Sequence, residues 1–208
     1  ALAAGANINF RFEKGYTALI WAASSGKAEA VKYLLSRGAN IHLVSEGNYT
    51  AFAHAVDMGH IDIVKILLSR GARVNASTEG GITALMAAIT RRHIDLVKLL
   101  IQYGANVHVK NFKGETIFIL AVQNTNDYGL LRLLLAKRVD INARENTAGW
   151  SALLFACSSG NVEKVKFLLA NRANVNIKDK YNTTPLNLAV KYRYTEIAEL
   201  LKKAGARE

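Results

Sequence analysis

Residues 15–40, GYTALIWAASSGKAEAVKYLLSRGAN, are followed by a close copy at residues 48–73, NYTAFAHAVDMGHIDIVKILLSRGAR. Each copy opens on a small hydroxyl residue, which we call the anchor. Six anchors recur along the chain, at Thr17, Thr50, Thr83, Thr116, Ser151 and Thr184. Successive anchors lie 33 residues apart, except that Thr116 and Ser151 lie 35 apart. A fixed period of this length indicates a repeat architecture, with two insertions in the fourth copy.

Each copy contains two short apolar runs with helical spacing. The first run follows the anchor directly, and Thr and Ser are preferred at helix N-caps. The second run begins beside an acid in five copies, where a carboxylate complements the helix dipole; these acids are Glu29, Asp62, Asp95, Glu163 and Glu196. Both predicted helices have only about two to three turns, too few for stability in isolation. We therefore expect a stack in which neighbouring copies hold each other.

Glycines mark the ends of the second helix and the tips of predicted hairpins. A left-handed residue is commonly needed after a helix, and Gly38, Gly71, Gly104 and Gly205 occupy that position. Gly or Asn, which both tolerate positive φ, recurs two residues before each anchor, at Gly15, Asn48, Gly81, Gly114, Gly149 and Asn182. The predicted unit is a helix, a turn, a second helix and a projecting hairpin.

This unit, with its period and the sequence Thr184-Pro185-Leu186, resembles the ankyrin repeat over essentially the whole chain. The proline after the anchor survives only as Pro185, and the histidine usual two residues further on is absent, which indicates a divergent natural sequence. The resemblance implies an all-α repeat solenoid of stacked helix-turn-helix units with projecting β-hairpin loops. It also implies a non-catalytic scaffold that binds a partner protein or peptide on the concave surface of hairpin tips and first helices.

The repeats predict one domain, residues 1–208, with repeats at about 15–47, 48–80, 81–113, 114–148, 149–181 and 182–208. Residues 1–14 resemble the tail of a truncated repeat, and no initiator Met precedes them, so we expect an excerpt of a longer protein. The last repeat carries Glu196, Glu199, Lys202 and Lys203 on its second helix, which is typical of a polar capping repeat.

Composition favours an intracellular protein. Half of the 208 residues are apolar, enough for a continuous core, and no apolar stretch approaches the roughly 20 residues that span a bilayer. The single cysteine, Cys157, is predicted to be a small buried hydrophobe and argues against a disulfide scaffold. We expect a cytoplasmic or nuclear location, or a host cytosol if the protein is a secreted effector.

No residue pattern predicts catalysis, a metal or a cofactor. The five histidines are interpreted as scattered over the repeat, and His42 and His108, at a position otherwise held by Asn, as bracing hairpins. No Cys or His spacing suits zinc, and the acids lie mostly at helix starts rather than in acid-base pairs. Trp21 is interpreted as a core residue, because other copies hold Leu120, Phe155 and Leu188 at its position.

The ankyrin resemblance assigns the candidate partner-binding residues by position. Those directly before an anchor include Tyr16, Tyr49, Ile82 and Trp150, and those at the exposed end of a first helix include Asp57, Met58, Arg91 and Tyr192. Phe112 and Tyr181 occupy other hairpin-tip positions. Aromatic residues are over-represented in binding hot spots; the alternative is that each hairpin aromatic simply packs on the neighbouring hairpin.

The formal net charge of +11 raises further alternatives. Much of it lies on and after the second helices, and Lys137, Arg138 and Arg172 form a second candidate surface, a basic one, for an acidic partner segment. Arg138 and Arg172 replace the glycine that follows the second helix elsewhere. A protein partner, with an acidic one as an option, is favoured over nucleic acid, because the basic residues lack an interleaved aromatic platform. A targeting or regulatory module of a larger enzyme or effector, and a monomeric array within a longer chain, are the remaining interpretations.

Overall fold

The computed structural model describes residues 6–207, which fall into two compact units that divide after Asn106. Unit 1 holds three helix pairs: α1 (Ala18–Ser24) with α2 (Ala28–Ser36), α3 (Ala51–Asp57) with α4 (Ile61–Ser69), and α5 (Ala84–Thr90) with α6 (Ile94–Gln102). Unit 2 holds three more: α7 (Ile117–Asn124) with α8 (Tyr128–Ala136), α9 (Ala152–Ser158) with α10 (Val162–Ala170), and α11 (Pro185–Lys191) with α12 (Thr195–Lys203).

The chain is an all-α repeat solenoid, which confirms the predicted fold class. Within residues 6–207, strand structure is confined to the hairpins: β1 (Val44–Ser45) pairs antiparallel with β2 (Tyr49–Thr50), and three other hairpins contain a single bridge. No helix between residues 6 and 207 is long and apolar enough to cross a membrane. The expectation that all six repeats form one domain stays a prediction.

The anchors form the predicted N-caps. At Thr17, Thr50, Thr83, Thr116, Ser151 and Thr184 the side-chain oxygen accepts a hydrogen bond from the amide three residues on. Each such bond satisfies one of the orphan donors of the first turn. At Thr184 the backbone amide also donates to the Asn187 side-chain oxygen, which completes a capping box. The anchor therefore fixes where each first helix begins.

Burial of the helices against their neighbours forms the core of each unit. In unit 1, α1 packs on α2 and on α3, and α3 packs on α4 and α5. Unit 2 repeats this arrangement, since α9 packs on α7, α10 and α11. Ile20, Leu85 and Phe118 are among the large side chains that are almost fully buried. Full burial of a side chain of this size stabilises the fold by roughly 1.5–3 kcal/mol.

Polar side chains tie adjacent repeats together at two recurring positions. Asn75 accepts from the Asn106 amide at 2.8 Å and donates to the Gly104 carbonyl oxygen at 3.2 Å, and Asn176 makes the corresponding pair of bonds in unit 2. The asparagines thus hold the loop after the next second helix rather than a hairpin. His60 and His93 were interpreted as scattered, but they share one repeat position, with Nε2 at 3.1 and 3.2 Å from a carbonyl oxygen of the preceding repeat.

The hairpins also follow a common plan. Gly or Asn two residues before every anchor has positive φ, as predicted, with values from 61° at Asn182 to 78° at Gly149. Successive tips join through backbone bonds, from the Glu79 amide to the Gly47 carbonyl oxygen in unit 1 and from Lys180 to Ala148 in unit 2. Each of these bonds holds two neighbouring tips of one unit side by side.

The fourth repeat absorbs its two insertions outside the helical core. Its first helix, α7, ends at Thr125, which has extended φ and ψ of −133° and 157° where other repeats place a residue with positive φ. The Thr125 hydroxyl accepts from the Asp127 amide, and Asp127 in turn caps α8 by accepting from the Leu130 amide at 2.9 Å. The extra residues lengthen the loops that precede and follow α8.

Arg138 and Arg172 adopt the left-handed conformation that the sequence predicts for their position. Their φ values are 59° and 63°, against 83° to 91° for Gly38, Gly71, Gly104 and Gly205. A Cβ added at any of those four glycines would meet nothing within 4 Å, so the cost of a side chain there lies in the backbone alone. A non-glycine residue with positive φ is strained.

Replacing either arginine by glycine is expected to raise the melting temperature. Relief of the left-handed strain is worth about 1–2 kcal/mol, and the greater freedom of glycine in the unfolded chain offsets about 0.5–1 kcal/mol of it. Thermal unfolding followed by circular dichroism measures the difference for Arg138→Gly and Arg172→Gly. Lys137→Gly is the matched control, because Lys137 has a φ of −83° and should only lose stability. Arginine variants that melt no higher than wild type would show that the arginines make compensating contacts.

Candidate functional site

Ring contacts join the residue before an anchor to the residue four after it. This pairing packs the hairpin against the first helix of the same repeat, and it recurs with centroid separations of 5.1, 5.3 and 5.1 Å in Tyr16–Trp21, Tyr49–His54 and Trp150–Phe155. The two positions were assigned to different environments in the sequence, one to the surface and one to the core. In the fold the side chains at the two positions pack against each other where the hairpin meets the helix.

In unit 1 these pairs merge into a continuous aromatic row. Tyr16 of the first repeat also contacts His54 of the second at 5.2 Å, so the order is Trp21, Tyr16, His54, Tyr49. The row lies in an open groove of about 620 Å³, which we call the aromatic groove, lined by Lys14, Tyr16, Trp21, Ser24, Glu46, Gly47, Tyr49, His54, Asp57 and Met58. Four residues predicted to bind a partner therefore meet at one place: Tyr16, Tyr49, Asp57 and Met58.

The prediction that Trp21 belongs to the core is wrong. Its side chain is 55% exposed, whereas Leu120 and Leu188 at the same repeat position are 6% and 3% exposed. Trp21 instead lines the aromatic groove, with its ring against that of Tyr16. Met58, at the end of α3, is 51% exposed in the same groove. Two large apolar side chains are thus presented to solvent together.

His54 lies between Tyr16 and Tyr49 as a neutral ring at physiological pH. Burial lowers the pKa of His54 below its ordinary value, against the opposing effect of the nearby Asp57 charge. The Ser45 hydroxyl donates to the Tyr49 carbonyl oxygen at 3.2 Å, so it accepts from His54 Nε2 at 3.0 Å. This chain of bonds fixes the imidazole, and with it the middle of the row.

Asp57 and Arg91, both predicted as contact residues, form a bidentate ion pair between the second and third repeats. Arg91 Nε and Nη2 donate to the two carboxylate oxygens at 2.9 and 3.0 Å. The side-chain hydrogen bond to Asp57 raises the pKa of the Arg91 guanidinium. The arginine side chain remains 58% exposed. The pair neutralises the carboxylate at the edge of the aromatic groove.

The remaining predicted contact residues are not among those that line the groove. Ile82 is half-buried in the third hairpin, and Phe112 and Tyr181 are each 76% exposed on hairpins of unit 2. Tyr192 is 44% exposed at the end of α11, with its ring 6.0 Å from Tyr194 and the Lys191 ammonium 5.6 Å from its centroid. The basic surface of Lys137, Arg138 and Arg172 is exposed beyond the ends of α8 and α10.

Trp150 is held by the next hairpin of unit 2. Its Nε1 donates to Asp179 Oδ2 at 3.1 Å, which matches the alternative weighed from the sequence, a hairpin aromatic packed on its neighbour. Asp179 is itself buried and also accepts from the Tyr181 and Thr183 amides at 2.8 Å. Glu145 closes the preceding hairpin in the same manner, accepting from the Ala148 and Trp150 amides. The sequence pattern does not predict this role for Glu145 or Asp179.

Reactive groups do not converge in the described part of the chain. Among residues 6–207, no three His, Cys, Asp or Glu side chains are grouped so that they could hold a metal ion. Cys157 is buried, as predicted, and burial raises the pKa of its thiol to about 12. A thiol with that pKa is a poor nucleophile at neutral pH. What the chain presents to solvent in an organised form is the aromatic groove.

Paired short helices, capped hairpins and a groove along the hairpin side define a helix-turn-helix repeat protein. A family model for ankyrin repeats (3 copies) matches residues 1–78, 74–145 and 118–207. The chain belongs to the ankyrin repeat family. Ankyrin repeats are in general protein–protein interaction modules and in general non-catalytic.

Named relatives share segments of the chain. The p105 subunit of nuclear factor NF-kappa-B from Gallus gallus is 38% identical over 86 residues, 41% of this chain and 9% of its own length. The putative ankyrin repeat protein YahD of Escherichia coli is 38% identical over 79 residues, 36% of this chain and 39% of its own length. The chain thus matches less than half the length of either relative.

One solved structure matches over nearly its full length. It is a chain from the complex of the predatory endopeptidase Bd0816 of Bdellovibrio bacteriovorus with the immunity protein Bd3460. The TM-score is 0.82 with 31% identity, and the match covers 90% of this chain and 98% of the other. The similarity extends across both units described here.

Asp179 is expected to make stability depend on acid pH. Burial alone would raise the pKa of Asp179, but hydrogen bonds from Thr183, Tyr181 and Trp150 outweigh burial, and the net shift is downward. A depressed folded pKa contributes stability above the unfolded value of about 3.9, and that stability is lost as pH falls through the folded value. Wild type should therefore lose more melting temperature than Asp179→Asn between about pH 6 and pH 2.

At neutral pH the Asp179→Asn variant should itself be about 1–3 kcal/mol less stable, because bonds to a charged acceptor are replaced by neutral ones. The substitution is compatible with the hairpin, since Asn111 caps the equivalent turn of the fourth repeat. Glu199→Gln, at an exposed carboxylate of α12, is the control. Parallel melting curves for all three proteins across this pH range would contradict the assignment.

The exposure of Trp21 gives a second stability test. Leu120→Ala, in the same repeat position, should lower the free energy of unfolding by about 2–5 kcal/mol because it leaves a cavity. Trp21→Ala should lower it by about 1 kcal/mol or less, since the indole is largely in solvent. Urea unfolding followed by circular dichroism measures both. If Trp21→Ala lost as much free energy of unfolding as Leu120→Ala, the indole would be part of the core.

Proposed function

We propose that the chain is a non-catalytic module that binds a partner protein or peptide in the aromatic groove of unit 1. The observation that carries the proposal is the row of Trp21, Tyr16, His54 and Tyr49 lying open in a groove of about 620 Å³. Tyrosine and tryptophan offer large contact area at low entropic cost, and they are enriched in binding hot spots. A purely structural role in the core would not require these aromatic rings to be open to solvent.

The rigidity of the groove supports the same function. The Ser45–His54 bond and the Asp57–Arg91 pair fix two of its elements before any partner arrives. A pre-organised surface spends less binding free energy on ordering its own side chains. Trp21 and Met58 are the elements left free to adapt. The groove thus combines two fixed side chains, His54 and Asp57, with two exposed ones, Trp21 and Met58, that can change conformation.

The comparisons support protein binding without identifying the partner. The matched solved structure is a complex between an endopeptidase and an immunity protein, so a chain of this fold occurs in a protein–protein assembly. The segment matched in the p105 subunit is 9% of that protein, which favours the further possibility that the repeats act as a targeting or regulatory module within a larger protein. In both cases the repeats supply recognition rather than chemistry, and a location inside cells suits such a module.

Selection of peptide ligands tests the proposal. A phage library of random peptides of about twelve residues, enough to cross three repeats in extended form, is panned on the wild-type chain and depleted on Trp21→Ala. The expected result is a set of ligands whose affinity falls at least about tenfold in Tyr16→Ala/Tyr49→Ala, because each hot-spot aromatic contributes over about 1 kcal/mol.

Phe112→Ala/Tyr181→Ala is the matched control, since it removes two exposed hairpin aromatics from unit 2. Its ligand affinity should stay within about twofold of wild type. Ligands that depend on Phe112 and Tyr181 instead would contradict the location of the site, and an absence of any Trp21-dependent ligand would contradict the groove altogether.

The salt dependence of binding distinguishes a nucleic acid ligand from a protein partner. The basic residues of the chain as a whole would bind random-sequence double-stranded DNA with an affinity that falls about a thousandfold between about 50 and 200 mM salt if they neutralised six phosphates. We expect DNA binding weaker than about micromolar at physiological salt. Fluorescence anisotropy of labelled DNA measures it, and tighter binding would reverse the ranking of the two functions.

A further inference from the structure

The hairpins of unit 1 carry a carboxylate at the same position in all three repeats. Glu13, Glu46 and Glu79 each lie four residues before an anchor, and all three side chains are exposed. Glu46 lines the aromatic groove itself. In unit 2 the corresponding position holds Phe112 and Lys180 in two of the hairpins. The acidic position is therefore a feature of the unit that contains the groove, rather than of the repeat in general.

The three carboxylates lie at the tips of neighbouring hairpins. The Glu79 amide donates to the Gly47 carbonyl oxygen at 3.1 Å, so the second and third tips are in direct contact. Lys14 and Glu46 line the same groove, which brings the first and second tips together. The hairpins hold the glutamates in one row, with the aromatic groove beside it.

The local charge of this surface differs from that of the whole chain. The chain has a net charge of +11, but around the groove the cations are few. The charge of Arg91 is balanced by the bidentate bond to Asp57, whereas Arg11 donates to the Val44 carbonyl oxygen at 2.7 Å and keeps its charge. Lys14 is the one lysine that lines the groove, so Arg11 and Lys14 stand against three glutamates on these hairpins.

We infer that the partner segment seated in the aromatic groove is a basic one, an extended peptide whose lysine or arginine side chains meet Glu13, Glu46 and Glu79. This inference rests on the proposed function, because it names the chemistry of the partner at the same site. Carboxylates in a row attract cations, and the faces of tryptophan and tyrosine attract them as well, tryptophan most strongly. Both elements of the site therefore select the same charge.

The repeat spacing also sets the spacing of the cations. Packed helices of adjacent repeats lie about 10 Å apart, and an extended chain advances about 3.3 Å per residue. Lysine or arginine at about every third position would keep pace with the glutamates in a peptide of extended polyproline II conformation, which has three residues per turn and so places every third side chain on one side. A helical segment would not, because three residues of a helix advance only about 4.5 Å.

The same panning experiment, read for composition, tests the inference. Trp21-dependent ligands should have a net positive charge, with lysine or arginine enriched at intervals of about three residues. Their affinity should fall at least about fivefold in Glu13→Gln/Glu46→Gln/Glu79→Gln, since three exposed charge pairs together contribute about 1 kcal/mol or more. Isothermal titration calorimetry at about 50 mM salt keeps screening low.

Glu29→Gln/Asp62→Asn/Asp95→Asn is the matched control. It removes three exposed carboxylates from the same unit and changes the net charge equally, but at the starts of α2, α4 and α6. Ligand affinity in this control should stay within about twofold of wild type. Equal losses in the two triple variants would mean that overall charge, rather than the tip row, attracts the peptide, and would overturn the inference.

The outcomes separate the two proposals. Trp21-dependent ligands that are neutral or acidic, or that ignore the loss of Glu13, Glu46 and Glu79, would overturn the basic-segment inference while leaving the groove as the binding site. A panning that yields no Trp21-dependent ligand overturns the proposed function, and the inference falls with it. Circular dichroism of each variant checks that the helices persist, above all for Tyr16→Ala/Tyr49→Ala, because both tyrosines are half-buried whereas the other substituted side chains are exposed.

Discussion

Contact between one repeat and the next is the constraint on which the rest of this structure depends. Helices of seven to nine residues are not stable alone, so each one exists because a neighbour buries its apolar face. The hydrogen bonds of Asn75, His60 and their equivalents fix the position of each repeat relative to the next. Because the core and these ties fix the backbone, the hairpin tips are free to differ in sequence without loss of the fold.

The two units use that freedom differently. In unit 2, Glu145 and Asp179 turn inward and close their own hairpins, and Trp150 bonds to the next hairpin. In unit 1 the carboxylates turn outward and the aromatic rings lie open beside them. The same backbone therefore carries carboxylates bonded within their own hairpins in one unit and carboxylates exposed beside an aromatic row in the other, and tyrosine and tryptophan are enriched in binding hot spots.

Features set by local chemistry were predictable from the sequence, and features set by neighbours were not. The anchors, the left-handed Arg138 and the hairpin glycines follow from capping and φ preferences within a few residues. Trp21 was misassigned because its position is flanked by the hairpin of its own repeat, so burial depends on how Tyr16 and the indole share that space. His54, Glu145 and Asp179 were missed for a related reason, since their roles appear only when hairpin and helix are placed side by side.

The burial of Cys157 has a practical consequence for work on this chain. It is the single cysteine among the 208 residues, and its inaccessible thiol with a pKa of about 12 is almost entirely protonated at neutral pH. Maleimide reagents act on accessible thiolates, so a cysteine introduced at Ser24, beside the aromatic groove, would be modified in strong preference to the native one. The natural chain thus already serves as a background for site-specific fluorophores and spin labels.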